Sequence, residues 1–399
     1  MGLIVHFGLG NFARAHLLDY TSDAGGWEVI GVSLRSARVH DGLAAQGFSY
    51  DLCVQGLGTK RIEILKDVLV APGNPQAVLD AMVRADIISA TVTEKGYHLD
   101  ASGALDLDDP TIAQDLAGGL PATLIGFLAH ALSVRTRPLT VLSCDNSVEN
   151  GSTLQAAVAS FAYAAGLNID WTHIRFPNAM VDRITPATTD ALRTHSGDPM
   201  AVPTEAFREW VIEDDFAGPR PDWPDVQFVD DVAPHELRKL RMLNGAHSLL
   251  AYAGLAKGHT YVHEAVGDPE LRELVEQLMA EAGATLPDEV QGQVGAYARA
   301  LIERFENPEL AHRLDQIAMD GSQKVPYRFI GTLRDAPRSA AVIKGIQAWV
   351  AFCVSETAQG HILNDPKADE IAQHAASNHP KTGLLKLIGA EEIGPLISA

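Results

Sequence analysis

The sequence has few cysteines and a deficit of cations, and each shortage excludes a class of protein. Cys53, Cys144 and Cys353 lie far apart and form no redox or metal-ligand pair, so we interpret them as reduced thiols and expect a cytoplasmic protein. Lysine and arginine number 31 against 51 aspartates and glutamates, which gives a net charge of −20. This charge argues against nucleic acid or an anionic membrane as a partner.

Long apolar runs and metal-ligand clusters are also missing. No apolar segment approaches the roughly 20 residues of a membrane span, and we expect no signal peptide, because the sequence opens on a strand-like run. The 15 histidines are scattered and show no zinc-ligand spacing with the cysteines. We therefore expect a protein that neither spans a membrane nor binds a catalytic metal.

What the sequence does contain is enough apolar residues for two cores. It has 399 residues, of which 46% are hydrophobic, so two domains are expected, at residues 1–230 and 231–399. Strand-like runs alternate with helical ones in the first part, and helical periodicity dominates after it. The predicted strands are residues 3–7, 27–34, 86–93 and 139–143. The pattern predicts an α/β N-terminal Rossmann-like domain with a largely parallel sheet, followed by an all-α C-terminal domain.

A glycine motif follows the first predicted strand. Gly8 and Gly10 begin a GxGxxA pattern that runs directly into a helical stretch. In this context the first glycine permits a tight turn, the second lets a pyrophosphate approach the backbone, and the small third residue allows close packing of helix on strand. The pattern predicts a dinucleotide site whose candidate residues are Gly8, Gly10, Asn11, Phe12, Ala13 and Arg14.

The end of the second predicted strand indicates which dinucleotide fits. NAD sites usually present an acid there for the ribose hydroxyls, but residues 32–38 contain none. Ser33 is followed by Arg35 and Arg38, which could face the 2′-phosphate of NADP. Arginine stacked on adenine would give the same sequence, so both interpretations remain open.

Residues 236–247 place several reactive groups on one predicted helix. With about 100° of rotation per residue, Asn244 lies about 140° from Lys239, His247 about 80° and Glu236 about 60°. The four groups share an arc with two leucines, so we expect an enclosed site in which the lysine pKa is lowered and the amine can act as a base. The alternative is an ordinary amphipathic helix with a solvated lysine.

Polar loops follow two other predicted strands. Residues 93–97 and 144–146 would face the same crevice as the Gly8 turn, because ligands bind beyond the carboxyl ends of parallel strands. Ordinary turn chemistry is the alternative for Asp145 and Asn146. Residues 180–186 and 320–324 are also compatible with turns.

Together these segments resemble the zinc-independent long-chain polyol dehydrogenases, the mannitol dehydrogenase family. The resemblance covers nearly the whole chain and is carried most specifically by the K-x4-N-x2-H pattern of residues 239–247. It implies that Lys239 is the general acid/base, that Asn146 and Asn244 donate to the oxyanion, that His247 orients the substrate, and that Glu236 belongs to a proton path. It also implies that Glu94 and Asp182 line the cofactor or active site.

The resemblance further implies an NAD-dependent oxidoreductase, with NADP as a possibility. Residues around Lys95 and Lys324 look more like the fructuronate reductases of the family than the mannitol enzymes, and either lysine could bind a substrate carboxylate. A keto sugar acid is therefore the expected substrate, with a neutral polyol as the alternative. A nucleotide sensor that lacks catalysis is a remote alternative, and we expect a monomer or small homo-oligomer.

Overall fold

The computed structural model describes residues 1–398, with the side chains of Glu94, Ile397 and Ser398 outside the description. The chain divides into two compact units, Met1–Ala233 and a second unit that begins at Pro234. Among the described residues, no helix is both long and apolar enough to cross a membrane.

The first unit holds the strands. In chain order they are β1 (Gly2–Phe7), β2 (Trp27–Ser33), β3 (Tyr50–Val54), β4 (Gly58–Ile62), β5 (Leu65–Val70), β6 (Ile87–Ala90), β7 (Leu139–Ser143), β8 (Ile174–Arg175), β9 (Ala179–Asp182), β10 (Val202–Thr204), β11 (Glu209–Glu213) and β12 (Gln227–Val229). Six of them form one sheet in the order β5-β2-β1-β6-β7-β8, and every pair in it is parallel. This is the doubly wound order of dinucleotide-binding folds, with the switch point between β1 and β6. The predicted parallel sheet is confirmed.

The sheet is buried on both faces, which explains why its strands read as nearly continuous apolar runs. Along β1, Ile4 belongs to the apolar core on one face, whereas Val5 and Phe7 belong to the core on the other. His6 is the polar exception, and it is fully buried. Its ring nitrogens lie 2.8 Å from Ser89 Oγ and 3.0 Å from Thr91 Oγ1, so both are satisfied.

The helices of the first unit connect and cover the strands. They are α1 (Asn11–Ala15), α2 (Leu17–Ala24), α3 (Arg38–Ala44), α4 (Pro75–Arg84), α5 (Pro110–Leu116), α6 (Leu124–Ser133), α7 (Asn150–Ala164) and α8 (Asp190–Ser196). Two three-stranded sheets, β10-β3-β4 and β12-β11-β9, lie beside the main sheet and were not expected from the sequence. The sequence analysis relied on unbroken apolar runs, and strands such as β4, whose sequence is GTKRI, have none.

The described part of the second unit contains helices and no strands. The α-helices are α9 (Ala233–Arg238), α10 (Gly245–Ala256), α11 (Val262–Gly267), α12 (Pro269–Gly283), α13 (Asp288–Gln291), α14 (Val294–Glu306), α15 (Leu314–Ile317), α16 (Gly321–Val325), α17 (Gly331–Asp335), α18 (Ala340–Ala358), α19 (Ala368–Ala375), α20 (Pro380–Leu387) and α21 (Gly394–Ser398). The predicted helical C-terminal domain is confirmed. Helix α10 is its central element, since most of its residues are buried and it packs against α12 and α18.

Two π-helical segments interrupt the α-helices of this unit. Lys239–Asn244 joins α9 to α10, and Pro326–Ile330 joins α16 to α17. The two segments pack against each other. Single π-helical turns inside longer helices are frequent at functional sites.

Candidate functional site

The turn after β1 has the geometry that a pyrophosphate-binding loop requires. Gly8 has a positive φ of +87°, and a Cβ atom there would lie 2.3 Å from the carbonyl oxygen of Thr91. Gly10 has an extended backbone with φ −78°. A Cβ atom on Gly10 would meet only Gly8 O, at 3.9 Å. The space beside Gly10 is therefore open enough for a phosphate to reach the backbone.

The polar side chains after this turn are engaged within the unit. Asn11 Nδ2 donates to Thr188 Oγ1 at 3.0 Å. Arg14 is buried, and it donates to Met200 O at 2.6 Å and to Asn11 Oδ1 at 2.7 Å. Both side chains thus tie the glycine turn to the segment around α8, and the structure places the Arg14 guanidinium in this network.

Phe12 and Ala13, the two remaining residues of the motif, contribute packing contacts rather than side-chain hydrogen bonds. The ring of Phe12 stacks on His16, with centroids 5.0 Å apart. Ala13 is fully buried. A small side chain at this point allows the short helix α1 to approach the sheet closely, as the glycine motif predicts.

A cleft of about 620 Å³ opens beside the glycine turn. Ser36 and Arg38, which follow β2, and Arg193 of α8 line this cleft. The complete lining is Gly10, Asn11, Arg14, Ser36, Arg38, Val39, Ala187, Thr188, Arg193, Pro199, Met200 and Ala201. Arg35 is exposed and does not line it. Arg193 was not expected from the sequence, because it comes from a helix far along the chain and no local pattern connects it to β2.

The loops that follow β6 and β7 meet at the carboxyl edge of the sheet. Tyr97 Oη lies 2.7 Å from Ser143 Oγ. Burial and the neighbouring Asp145 carboxylate both raise the pKa of Tyr97. Asn146 follows at an exposed position, and Lys95 is exposed in the loop after β6. Sequence reasoning placed these two loops in one crevice, and within this unit they lie side by side.

Two further candidates belong to the first unit. Asp182 ends β9 and is buried. The side chain of Glu94 lies outside the described residues, so its predicted role stays a prediction.

In the second unit, the segment that carries the candidate base is not an α-helix. Lys239 and Asn244 are the first and last residues of a π-helical segment. In a π-helix the backbone hydrogen bonds join residues i and i+5, so residues five positions apart lie about one turn apart. The angle of about 140° expected between Lys239 and Asn244 from α-helical rotation is therefore wrong, and the two residues lie much closer to one face. Sequence reasoning missed this because it assumed α-helical rotation throughout the segment.

The four predicted residues of this helix differ in exposure. Lys239 and Asn244 are partly exposed, whereas Glu236 and His247 are buried, with 8% and 9% of their surfaces accessible. Within the described chain, the side-chain amide of Asn244 makes no hydrogen bond to another protein group. The segment thus presents a lysine and an available amide donor at a surface backed by a buried carboxyl and imidazole.

The surroundings of His247 keep its ring neutral. The ring contacts Phe305 at a centroid distance of 4.7 Å and His312 at 5.1 Å. Burial lowers the pKa of His247 well below its usual value, and the nearby His312, Arg328 and Arg304 lower it further. A neutral imidazole can orient a hydroxyl group without adding another positive charge.

A pair of cations lies on the neighbouring π-containing helix. The pKa of Lys324 is lowered by burial and by Arg328, against the opposing effect of Asp320 at 3.6 Å. Arg328 donates to Ser248 Oγ at 2.8 Å, which fixes its guanidinium beside α10. Arg328 was not among the residues expected from the sequence.

No group of three histidine, cysteine, aspartate or glutamate side chains suited to a metal ion occurs among residues 1–398 with described side chains. Cys53, Cys144 and Cys353 are free thiols. The absence of a catalytic metal remains an expectation.

Comparisons with known proteins agree with this arrangement. The family model for the mannitol dehydrogenase Rossmann domain matches residues 2–225, and that for the mannitol dehydrogenase C-terminal domain matches residues 231–393. The chain belongs to the mannitol dehydrogenase family. It is thus an oxidoreductase of that family, and the resemblance inferred from the sequence is confirmed.

Relatives within the mannitol dehydrogenase family differ in substrate. D-mannonate oxidoreductase from Escherichia coli (strain K12) is 37% identical, over 97% of this chain and 88% of the relative. Mannitol 2-dehydrogenase from Phaeosphaeria nodorum is 35% identical, over 93% of this chain and 72% of the relative. These similar values leave the substrate of this member open.

Two solved structures have the same fold as this chain. A substrate-free D-sorbitol dehydrogenase matches with a TM-score of 0.86 and 29% identity, over 99% of this chain and 91% of the other. Pseudomonas fluorescens mannitol 2-dehydrogenase, solved as a ternary complex with NAD and D-mannitol, matches with a TM-score of 0.81 and 32% identity, over 100% and 92%.

Proposed function

We propose that this chain interconverts a keto sugar acid and its alcohol, of the fructuronate and mannonate type, with NAD(H) as the working cofactor. The observation that carries the proposal is the π-helical turn of the second unit. It presents Lys239 and the available amide of Asn244, and it packs against the turn that contains Arg328, one turn after Lys324. An acid/base group, an oxyanion donor and two cations are thus concentrated in one small region.

The residues of the glycine turn suit the cofactor. The open space beside Gly10 and the positive φ of Gly8, which glycine adopts without strain, fit a pyrophosphate-binding turn. When bound, the nicotinamide ring supplies the acceptor or donor of hydride. The complex of the Pseudomonas fluorescens relative with NAD supports NAD(H) as the cofactor here.

Lys239 is proposed as the group that moves the proton. Oxidation of a secondary alcohol removes hydride from carbon and a proton from oxygen, and a neutral amine at Lys239 takes that proton. Reduction returns the proton from the ammonium form. The amide of Asn244 donates to the oxygen as negative charge develops on it, and loss of such a donor typically costs about 10²- to 10³-fold in rate. On the family resemblance alone, Asn146 is proposed as a second donor.

The buried groups behind Lys239 complete the proposed mechanism. His247 is held neutral, so its ring can accept a hydrogen bond from the substrate or donate one to it. Glu236 is proposed to pass protons between Lys239 and solvent, since a carboxyl group next to a base can relay a proton.

The substrate carboxylate is assigned to Lys324 and Arg328. Arg328 is fixed by Ser248 and forms a bidentate donor suited to a carboxylate. Lys95 is an alternative cation, but it is exposed in the first unit. A neutral polyol remains the second candidate, because the same lysine and amides serve either substrate and because relatives of both kinds are similar to this chain.

The test compares acidic and neutral substrates in matched variants. Purified protein is assayed with fructuronate, tagaturonate, fructose and their reduced forms, with NAD(H) and NADP(H). Arg328→Ala should lower kcat/KM for the keto acid by about ten- to a hundredfold, because a charged hydrogen bond is lost, while any turnover of fructose changes little. Arg334→Ala, an exposed arginine of the next turn that pairs with Glu392, is the control and should leave both unchanged.

Turnover of mannitol or fructose alone would favour the polyol assignment. Cofactor binding without turnover of any substrate would favour the sensor alternative. From composition and charge we further propose a cytoplasmic enzyme, a monomer or small homo-oligomer, that binds small molecules and neither nucleic acid nor membrane.

A further inference from the structure

The cleft beside Gly10 has an unusually basic lining. Arg38 is the first residue of α3, and Arg193 lies in α8, and both line the cleft together with Ser36. The complete lining contains three arginines and no carboxylate. In a protein with a net charge of −20, this concentration of positive charge requires an explanation.

The position of the cleft identifies the part of a dinucleotide that would occupy it. If the pyrophosphate lies against Gly10, the adenosine ribose lies toward the end of β2, where NAD sites usually place an acid. Here that end leads to Ser36 and Arg38, which line the cleft. A 2′-phosphate would therefore meet guanidinium groups instead of a repelling carboxylate.

The three arginines of the cleft differ in their existing partners. Arg14 already donates to Met200 O and Asn11 Oδ1. Arg193 pairs with Asp190 at 2.5 Å, but that carboxylate is 98% exposed, so solvent screens the pair. Arg38 makes no ion pair or side-chain hydrogen bond within the described residues, so its charge is available.

We propose that Arg38 and Arg193 bind the 2′-phosphate of NADP(H), so that the protein accepts NADP(H) as well as NAD(H). This inference rests on the proposed dinucleotide function. Of the two arginines that the sequence offered for this role, it selects Arg38, because Arg35 does not line the cleft. Two guanidiniums suit a phosphate dianion because each can donate two parallel hydrogen bonds.

The test measures equilibrium binding rather than turnover. The affinities of NADH and NADPH are determined by cofactor fluorescence, and adenosine 2′,5′-bisphosphate and 5′-AMP are compared as competitors. Arg38→Asp should weaken NADPH and the bisphosphate by about tenfold or more while NADH changes by less than about twofold, because the lost contact is a charged hydrogen bond. Arg193→Gln should have the same selectivity with a smaller effect. Arg35→Asp is the matched control and should change neither cofactor selectively.

Each outcome separates this inference from the proposed function. Tight NADH binding without measurable NADPH or bisphosphate binding would overturn the inference and leave the proposed function intact. A selective loss of NADPH in Arg35→Asp, with Arg38→Asp unaffected, would show that the wrong arginine was assigned. Failure of the wild-type protein to bind either cofactor would instead refute the dinucleotide function itself.

Discussion

Replacing Gly8 and Gly10 one at a time should separate folding from cofactor binding. Gly8→Ala places a Cβ atom 2.3 Å from Thr91 O on a backbone with φ +87°. A left-handed conformation costs a non-glycine residue about 1 to 3 kcal/mol, and relief of the close contact costs a further 1 to 3 kcal/mol or so. Since about 2 to 4 °C of Tm corresponds to 1 kcal/mol in a unit of this size, Tm should fall by about 5 °C or more.

Gly10→Ala should behave in the opposite way. Its backbone is extended, and the added Cβ would meet only Gly8 O at 3.9 Å, so alanine fits without strain. Loss of unfolded-state freedom should leave the stability unchanged or raise it by about 0.4 to 1 kcal/mol. The same methyl group fills the space through which a pyrophosphate reaches the backbone, so NADH affinity should fall by about tenfold or more.

Thermal unfolding with and without NADH measures both effects in one assay. The Tm of the wild-type protein should rise when the cofactor is added, whereas that of Gly10→Ala should start at or slightly above the wild-type value and rise little. Gly26→Ala is the control for Gly8→Ala, because Gly26 also has a positive φ but lies in open space, so its substitution measures the conformational cost alone. Gly31→Ala, within β2, is unsuitable because its Cβ atom would lie 2.8 Å from Leu9. Normal NADH binding by Gly10→Ala, or wild-type stability of Gly8→Ala, would refute the assignment of this turn.

Three further predictions test the proposed chemistry and one buried histidine, His6. Lys239→Ala should abolish turnover while NADH still binds. If the variant kept more than a tenth of the wild-type activity at neutral pH, Lys239 would not be the base. Activity should survive exhaustive chelation, and a loss that zinc alone restores would contradict lysine chemistry. Burial lowers the pKa of His6 to about 3. Below a pH of about 6.5 the unfolded chain therefore takes up a proton at His6 that the folded chain does not. The free energy of unfolding should then fall by up to about 1.4 kcal/mol per pH unit, down to about pH 3. His6→Gln should reduce this slope in urea unfolding between pH 7 and pH 5, and an unchanged slope would mean that His6 titrates in the folded protein.

Much of the fold could be predicted from local sequence, because buried parallel strands require unbroken apolar runs. The runs at residues 3–7 and 139–143 differ from the observed β1 and β7 by at most one residue. The predicted strand at residues 86–93 was too long, since the structure ends it at Ala90. There Thr91 Oγ1 donates to Gly8 O, so the chain turns to brace the glycine loop instead of continuing the strand.

The candidate site was predictable where one segment carries the chemistry. Residues 239–247 hold the lysine, the amide and the imidazole in one stretch, and the glycine turn is equally local. The relative angle of Lys239 and Asn244 was not predictable, because the π-helical turn between them is stabilised by packing against Pro326–Ile330, which lies far along the chain.

Local sequence was enough to predict four strands of the main sheet, the helical second unit, the glycine turn and the candidate base, since each depends on residues that are neighbours in the chain. Tertiary structure decided which cations share a site. Arg38 and Arg193 line one cleft, and Arg328 is fixed by Ser248 close to His247. Electrostatic recognition depends on distances of a few ångströms between side chains. Those distances are set by the packing of elements distant in sequence, and no local pattern records them.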